Sequence, residues 1–177
     1  MPEIVYYVAQ SVDGFIATTE GGLDWLAPFE ASGEDYGYAA FYDSVDAVLL
    51  GRRTYEQALT FAEWPYPDRP VYVFSSRALA PAGANVVVTS MSPEHITAEL
   101  GERGVRRAWL VGGGALAGAF QRAGLITEYV VSTIPVLLGD GVRLLGTQSS
   151  SQRLALVSTT RYDDGVLQQV YRPAEPV

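Results

Sequence analysis

The chain has 177 residues, 48% of them hydrophobic, which is typical of one domain with a sizeable core. Twelve basic residues against 20 acidic ones give a formal net charge of −8, which argues against non-specific binding to nucleic acid or to an anionic membrane. The sequence has no cysteine and a single histidine, His95, which excludes disulfides, thiolate chemistry and a His/Cys metal site built from one chain.

The N-terminus carries no targeting pattern. Residues 1–10, MPEIVYYVAQ, lack the basic segment, apolar stretch and cleavage site of a signal peptide. No apolar run approaches the roughly 20 residues that span a bilayer. We therefore expect, by default, a soluble cytoplasmic protein.

Strand and helix patterns alternate along most of the chain. The strands are short apolar runs rich in β-branched and aromatic residues, and the helices show apolar residues three and four apart or begin with a capping residue. A Gly- and acid-rich stretch, 18–34, is predicted to be a loop that crosses one face. The predicted strands are 4–10, 46–50, 70–76, 85–90 and 107–114, with a turn at Asp13-Gly14 and a short extended piece after it; the predicted helices are 35–45, 53–61, 92–101 and 115–124.

The C-terminal part differs, because strand patterns follow one another there with no helix between them. Strands separated by helices indicate a mainly parallel sheet, and a terminal run of strands indicates added antiparallel ones. We predict a single α/β domain over residues 1–177, with a mostly parallel central sheet of about eight strands, flanking helices and antiparallel C-terminal strands.

Three predicted strand ends look suited to phosphate. They are GRRT at 51–54, FSSR at 74–77 and VGGGAL at 111–116. Guanidinium groups suit phosphate oxygens, and glycines let a backbone and a helix N-terminus approach an anion closely. In open α/β sheets, ligands bind beyond the carboxyl ends of the strands.

Each of the three stretches also has a structural explanation. A Gly-Arg turn or a serine at a strand end is common loop chemistry, and a triple glycine can simply let a helix and a strand pack. Their equivalent positions on successive parallel strands favour a dinucleotide with a pyrophosphate and a 2′-phosphate, and two Arg-bearing ends favour NADPH over NADH. The GxGxxG spacing is absent, which disfavours a standard Rossmann site.

The order of these motifs resembles the dihydrofolate reductase superfamily, and within it the group related to the reductase domain of bacterial riboflavin biosynthesis. Five stretches carry the resemblance and cover nearly the whole length: AQSVDGFIA (9–17), LDW (23–25), DAVLLGRRTYE (46–56), VFSSR (73–77) and LVGGGALAGAF (110–120). A match to any one stretch is weak evidence, whereas five matches in the family's order are specific. The resemblance implies a mostly parallel sheet of about eight strands.

The resemblance also implies a set of cofactor contacts. A wall against the nicotinamide comes first in the chain, followed by a phosphate-binding turn, a segment for the adenosine end with its 2′-phosphate, and a glycine turn under the pyrophosphate. In that order the implied residues are Ala9, Ile16 and Ala17; Gly51, Arg52, Arg53 and Thr54; Ser75, Ser76 and Arg77; and Gly112, Gly113, Gly114, Ala115 and Leu116.

On the substrate side, the resemblance implies Asp35 as the acidic residue that anchors a pterin-like ring and assists its protonation. Capping of the following helix is an equally good explanation for Asp35. Asp13 lies near the expected pocket entrance, although Asp-Gly is common in structural turns. Trp25, Tyr38 and Tyr42 could stack on a flat heterocycle, although aromatic residues at helical spacing are more often core.

The sequence departs from the riboflavin-pathway pattern in two places. The position before the glycine turn is Val111, where those enzymes carry an acidic residue. The stretch FAEWPYPDRP (61–70) offers one basic residue, Arg69, where a basic pair would bind the ribose phosphate of the substrate. These departures count against a phosphoribosyl-pyrimidine substrate and leave the resemblance at the cofactor site unaffected.

Two functions remain open. The first is an NADPH-dependent reductase that transfers hydride to a pteridine-like or aminopyrimidine-like heterocycle, with a small-molecule substrate and a homodimeric assembly that covers the C-terminal strands. The alternative is a module that binds NADP(H) without turnover. Acyl and phosphoryl transfer are excluded because GxSxG and GxxxxGK[ST] are both missing.

Overall fold

A computed structural model describes residues 1–147 and 149–174 of the chain. Strands and helices are interspersed up to residue 134, and the elements described after it are strands. The strands are β1 (Glu3–Ser11), β2 (Phe15–Ala17), β3 (Ala47–Gly51), β4 (Val71–Phe74), β5 (Val86–Thr89), β6 (Arg107–Gly112), β7 (Glu128–Ile134), β8 (Val142–Arg143), β9 (Leu154–Arg161) and β10 (Leu167–Pro173). The helices are α1 (Ala27–Glu30), α2 (Tyr38–Asp43), α3 (Arg52–Ala58), α4 (Pro93–Glu102) and α5 (Gly114–Arg122), with a 3₁₀ turn at Asp24–Leu26.

Eight of these strands form one sheet in the order β5-β4-β3-β6-β1-β7-β10-β9. The first six strands of that order pair in parallel, and β10 pairs antiparallel with both β7 and β9. The short strands β2 and β8 pair separately with each other. The predicted fold class, a mostly parallel eight-stranded sheet with antiparallel C-terminal strands, is confirmed.

The two faces of the sheet carry separate hydrophobic cores. Side chains alternate along each strand, so neighbouring residues of β1 enter different cores. Tyr6 packs with α4 and α5 on one face, whereas Val5 packs with α2 and α3 on the other, together with Trp109 of β6. We call these the α4/α5 face and the α2/α3 face.

Local signals explain where some helices begin. The side-chain oxygen of Ser92 accepts a hydrogen bond from His95 N–H, and Pro93 occupies the first helical position, as the sequence predicts for α4. The prediction for α3 was wrong at its end. The predicted helix ends at residue 61, whereas α3 ends at Ala58 and is followed by hydrogen-bonded turns at Leu59 and Thr60.

Three other details differ from the sequence prediction. The loop predicted over 18–34 contains the 3₁₀ turn and α1, both too short to show a helical period. Helix α2 begins at Tyr38, three residues later than predicted, because Gly37 takes a left-handed conformation with φ of 78°. Strand β8, two residues long, was not predicted. Within 1–147 and 149–174, no helix combines the length and the apolarity that crossing a membrane requires.

Candidate functional site

The three predicted phosphate-binding stretches lie on adjacent strands. Strand β3 pairs in parallel with β4 on one side and with β6 on the other, so the carboxyl ends of all three strands meet at one edge. Gly51 pairs with Phe74, and Leu50 pairs with Gly112. The sheet therefore brings GRRT, FSSR and VGGGAL to one edge, and their role in binding a ligand stays a prediction.

The first and third stretches contact each other directly. A Cβ on Gly51 would lie 3.4 Å from both Gly112 O and Gly113 N. A Cβ on Gly113 would lie 3.4 Å from the hydroxyl oxygen of Thr54. The two turns thus form one continuous surface, which we call the anion corner (residues 51–54 and 112–116).

Helix α5 begins in this corner. Its first helical hydrogen bond runs from Ala117 N–H to Gly113 O at 3.0 Å, which leaves the amides of residues 114–116 outside the helical ladder. With the helix dipole, such amides favour an anion. Ala115 is exposed and Leu116 half-buried.

Gly114 has a structural reason to be glycine. A Cβ at Gly114 would lie 2.1 Å from Arg143 O, and one at Gly118 would lie 2.3 Å from Leu145 O. Segment 141–146 therefore crosses α5 in backbone contact, which only glycine permits at these two positions. The packing explanation for the triple glycine applies at Gly114, and a role for it in cofactor binding stays a prediction.

The two adjacent arginines have different surroundings. Arg52 is held by Glu56 one helical turn later, at 2.8 Å to each carboxylate oxygen. Arg53 is exposed, and its guanidinium makes no hydrogen bond or ion pair within the described part of the chain. Arg53 is therefore the better placed of the two to meet a ligand phosphate.

At the end of β4, Ser75 shapes the backbone. Its hydroxyl donates to Arg77 O at 2.8 Å and accepts from Arg77 N–H at 3.0 Å. Ser76 and Arg77 are exposed, and the Arg77 guanidinium has no protein partner among residues 1–147 and 149–174. Arg77 is therefore, after Arg53, a second residue at this edge of the sheet whose guanidinium is unpaired among the described residues.

The predicted nicotinamide wall lies on β1 and β2. Ala9 and Ile16 are half-buried and Ala17 is buried. The turn between the two strands is held by Asp13, which accepts from the Ser11 hydroxyl at 2.6 Å and from Gly139 N–H at 2.7 Å.

These hydrogen bonds determine the charge state of Asp13. The Ser11 hydroxyl first, and the backbone N–H groups of Leu138 and Gly139 next, lower the pKa of this carboxyl from 3.8 to about 2. Because both oxygens already accept hydrogen bonds from the protein, the contacts of Asp13 match the structural alternative. Its role in substrate binding stays a prediction.

Asp35 lies at the start of α2 and is exposed. Its carboxylate oxygens accept from Gly37 N–H at 2.8 Å and from Ala39 N–H at 3.2 Å. These contacts are those of the capping alternative, although the cap position itself is Gly37. No apolar pocket encloses the carboxylate in this conformation, and the catalytic role of Asp35 stays a prediction.

The predicted stacking residues are not equivalent. The Tyr42 ring stacks with Tyr38 at 5.9 Å and also contacts the Arg69 guanidinium at 5.2 Å, so it is already engaged by two protein groups. Tyr38 packs edge-on against Trp109 at 5.7 Å and remains 37% exposed, which leaves ring surface for a ligand. Trp25 is half-buried, and its indole N–H has no partner within the described residues.

One contact network was missed by sequence reasoning. The Tyr7 hydroxyl donates to Tyr36 O at 3.1 Å, and the Gln168 amide donates to Tyr36 O at 3.0 Å and to the Ser132 hydroxyl at 3.1 Å. Burial raises the pKa of Tyr7 to about 12, so its hydroxyl stays protonated. The alternation of Val5, Tyr7 and Ala9 along β1 was a signal for Tyr7, but nothing in the sequence linked Gln168 to residue 36.

Two surface depressions lie elsewhere. One, of about 610 Å³, is lined by Glu3, Asp46 and Arg107 at the amino ends of the strands. The other, of about 840 Å³, lies along α4 beside His95. Neither contains a predicted site residue, and the carboxyl edge remains the better candidate because the unpaired guanidiniums, free amides and glycine turns converge there.

The chain is similar to several known proteins. It is 35% identical over 163 residues to the uncharacterized protein YwjB of Bacillus subtilis (strain 168), an alignment that covers 92% of this chain and 93% of YwjB. The crystal structure of a putative riboflavin biosynthesis protein from Shewanella sp. PV-4 superposes with a TM-score of 0.88 at 32% identity, covering 99% of this chain and 100% of that one.

A more distant structure shares the fold alone. Dihydrofolate reductase from Enterococcus faecalis, complexed with NADP(H) and RAB-propyl, matches with a TM-score of 0.70 at 18% identity, covering 98% of this chain and 97% of that one. The model of the RibD C-terminal domain matches residues 2–168. With a dihydrofolate reductase-like fold and that match, the chain belongs to the RibD C-terminal domain family.

Proposed function

We propose that the protein is an NADPH-dependent reductase that transfers hydride to a pteridine-like or aminopyrimidine-like heterocycle. The observation that carries the proposal is the anion corner, where Gly51 and Gly113 bring two turns into contact beside the unpaired guanidiniums of Arg53 and Arg77. The family supports a reductase-type fold, and the similar fold of an NADP(H)-bound dihydrofolate reductase supports the choice of nucleotide.

The residues of the anion corner and of the neighbouring strand ends have distinct roles in this proposal. The amides of residues 114–116 bind the pyrophosphate, Arg53 neutralises it, and Arg77 binds the 2′-phosphate. Ala9 and Ile16 form the wall behind the nicotinamide. When bound, the cofactor supplies the hydride. The protein orients the nicotinamide and the substrate towards each other and keeps water from between them.

On the substrate side, the heterocycle lies against the exposed ring of Tyr38. Asp35 delivers the proton through water, after a local rearrangement that frees its carboxylate from the amides of Gly37 and Ala39. In structures of enzymes without ligand, catalytic hydrogen bonds are often long or poorly aligned, and they tighten only in the complex.

Fluorescence titration with NADPH and NADH tests the cofactor, and loss of the nicotinamide absorbance with a panel of pterins and aminopyrimidines tests the reaction. We expect NADPH to bind more tightly than NADH. Asp35→Asn should abolish turnover while NADPH affinity persists, and Arg77→Ala should weaken NADPH affinity while turnover at saturation persists. Tight NADPH binding with no turnover of any compound would favour the non-catalytic module, and binding of neither nucleotide would refute the proposal.

We also propose that the protein is a homodimer that covers β9. This strand pairs only with β10 among the described strands, and all eight of its residues are exposed. Leu156 is 56% and Val157 is 50% exposed, on a strand whose outer N–H and C=O groups have no ladder partner. Such an edge favours pairing with another chain.

Light scattering after size exclusion tests the dimer. The wild-type protein should have twice the mass of one chain, and Leu156→Arg should shift the equilibrium towards monomer. Leu59→Arg is the matched control, because Leu59 is 49% exposed at the end of α3, away from β9. A monomeric wild-type protein would contradict the assembly and leave the reductase proposal intact.

A further inference from the structure

One wall of the proposed substrate site is formed by residues 18–43, which we call the substrate wall. Its helix α2 packs on the α2/α3 face through Phe41 and runs back towards the amino ends of the strands, where the Arg107 guanidinium lies 5.8 Å from the Phe41 ring. At one end, the Gln57 amide of α3 donates to Gly21 O at 2.7 Å. At the other, Tyr7 and Gln168 both donate to Tyr36 O. The wall therefore extends from α3 to β10 in front of the edge where the cofactor is proposed to bind.

The substrate wall has no positive charge. No lysine, arginine or histidine occurs before Arg52 in the sequence. The turn between β9 and β10 contacts the wall through Tyr36, whose hydroxyl bonds to Asp164, and it adds further negative charge. The acidic side chains in these two segments are Glu20, Asp24, Glu30, Glu34, Asp35, Asp43, Asp163 and Asp164.

The nearest guanidiniums cannot compensate. Arg52 is paired with Glu56. Arg107, whose guanidinium lies over the Phe41 ring of the wall, is paired with Glu128. Arg69 donates to Val45 O at 2.9 Å and covers the Tyr42 ring. Arg161 pairs with Leu167 in the β9–β10 ladder, and Leu167 pairs with Thr133, which is in register with Gln10, so Arg161 projects from the α4/α5 face.

Among the described residues at the edge, Arg143 lies over the Phe15 ring at 5.6 Å. The guanidiniums of Arg53 and Arg77 have no such partner, and the phosphates of the cofactor account for both. A phosphate on the substrate would therefore be repelled by the carboxylates of the wall, because phosphate binding requires cations or free helix amides. A flat ring, in contrast, can stack on the side chain of Tyr38, which is 37% exposed. We propose that the substrate is a planar heterocycle without a phosphate group, an inference that rests on the reductase function proposed above.

The test compares two ligands that differ only by the phosphate: 5-amino-6-(5-phosphoribosylamino)uracil and the riboside left after a phosphatase has removed its phosphate. Calorimetry on the NADP⁺-loaded protein measures their affinities, and NADPH oxidation measures their kcat/KM. We expect the riboside to bind at least about tenfold more tightly at low salt, and the difference to shrink as salt screens the carboxylates.

A charge variant sharpens the test. Glu20→Gln/Glu30→Gln should strengthen binding of the phosphate ester severalfold and leave binding of the riboside unchanged. Glu94→Gln/Glu102→Gln on α4 makes the same change in net charge on the other face of the sheet and should alter neither affinity.

The outcomes separate this inference from the reductase proposal. Equal or tighter binding of the phosphate ester overturns the inference, and binding of neither compound to a protein that binds NADPH overturns it as well. A protein that binds the riboside and oxidises no NADPH supports the inference and contradicts the reductase proposal.

Discussion

The anion corner and the substrate wall lie on two sides of one edge of the sheet and are built in different ways. The corner is held by backbone: Gly51 contacts Gly113, and Gly114 lies against Arg143 O. The wall is held by single side-chain hydrogen bonds, such as those from Gln57 to Gly21 O and from Tyr7 to Tyr36 O. The corner is therefore determined by the strand order, and the wall by a few side chains.

This difference has a consequence for substitutions. Adding a side chain in the corner displaces backbone shared by the sheet and α5, which costs stability. Removing a hydrogen bond from the wall leaves the sheet intact and changes the geometry of ligand binding. Substitutions of Gly114 and Tyr36 test this contrast directly, and substitutions of Arg77 and Asp13 test the neighbouring strand ends.

The largest effect is expected from Gly114→Ala. Its Cβ would lie 2.1 Å from Arg143 O, so the crossing segment must move away from α5. We expect a loss of about 3 kcal/mol in the free energy of unfolding, measured by urea denaturation. Gly101→Ala in α4 is the control, because its Cβ meets only Pro2 Cδ at 3.5 Å; it should be neutral or stabilise the protein. Equal stability of both variants would disprove the backbone account of the corner.

Next in size is Arg77→Ala. Because the guanidinium has no protein partner among the described residues, its loss should leave the unfolding free energy unchanged. Charge-assisted hydrogen bonds contribute about 1.5–3 kcal/mol, so the Kd for NADPH should rise roughly 10–100-fold while the Kd for NADH stays constant. Arg106→Ala, at the opposite end of the sheet with a 90% exposed side chain, is the control. A parallel loss of NADH affinity would contradict a 2′-phosphate contact.

Tyr36→Phe tests the wall. The hydroxyl bonds to Asp164 and to the Ser32 hydroxyl, and one such bond contributes about 1 kcal/mol. We expect steady-state kinetics to show a severalfold higher KM for the heterocycle, with an unchanged Kd for NADPH. Tyr162→Phe is the control, because the Tyr162 ring packs on Tyr36 at 5.0 Å while its hydroxyl makes no hydrogen bond within residues 1–147 and 149–174. A higher Kd for NADPH with an unchanged KM for the heterocycle would assign Tyr36 to the cofactor site instead of the substrate wall.

The smallest effect is expected from Asp13→Asn, at the junction of β1 and β2. The pKa of Asp13 is lowered from 3.8 to about 2, so its stabilising contribution is complete above pH 3.8 and is lost as the pH falls through 2. The variant should be slightly less stable at neutral pH, and its unfolding free energy should fall less between pH 4 and pH 2. Urea denaturation across that range measures both, with Asp24→Asn as a control for the loss of a surface charge. If the unfolding free energy of the wild-type protein does not change between pH 4 and pH 2, the hydrogen bonds of Asp13 do not stabilise the turn.

Much of the candidate cofactor site could be predicted from the sequence. A glycine that follows a buried apolar strand marks the carboxyl end of that strand, and parallel pairing then brings such ends together. The adjacency of Gly51 and Gly112 follows from this rule. The same rule does not distinguish Arg52 from Arg53, because the pairing of Arg52 with Glu56 depends on which way each side chain leaves the helix.

The substrate side was less predictable. Trp25, Tyr38 and Tyr42 are all aromatic residues near one another in sequence, yet Tyr42 is half-buried and contacts the Arg69 guanidinium, whereas Tyr38 is 37% exposed. The cause is Arg69, which comes from a loop more than 20 residues away in the chain. Long-range contacts of this kind leave no periodic signal.

The sequence by itself determined the alternation of strands and helices, the antiparallel tail and the positions of the strand ends, because apolar periodicity and glycine placement are local properties. Only the tertiary structure decided that Gly114 makes room for Arg143 O, that Gln168 supports residue 36 and that Arg53, rather than Arg52, is unpaired. The first two depend on distant segments meeting in space, which the packing of the whole sheet determines. The third depends on the directions in which the side chains leave one helical turn, because Glu56 follows Arg52 by only four residues.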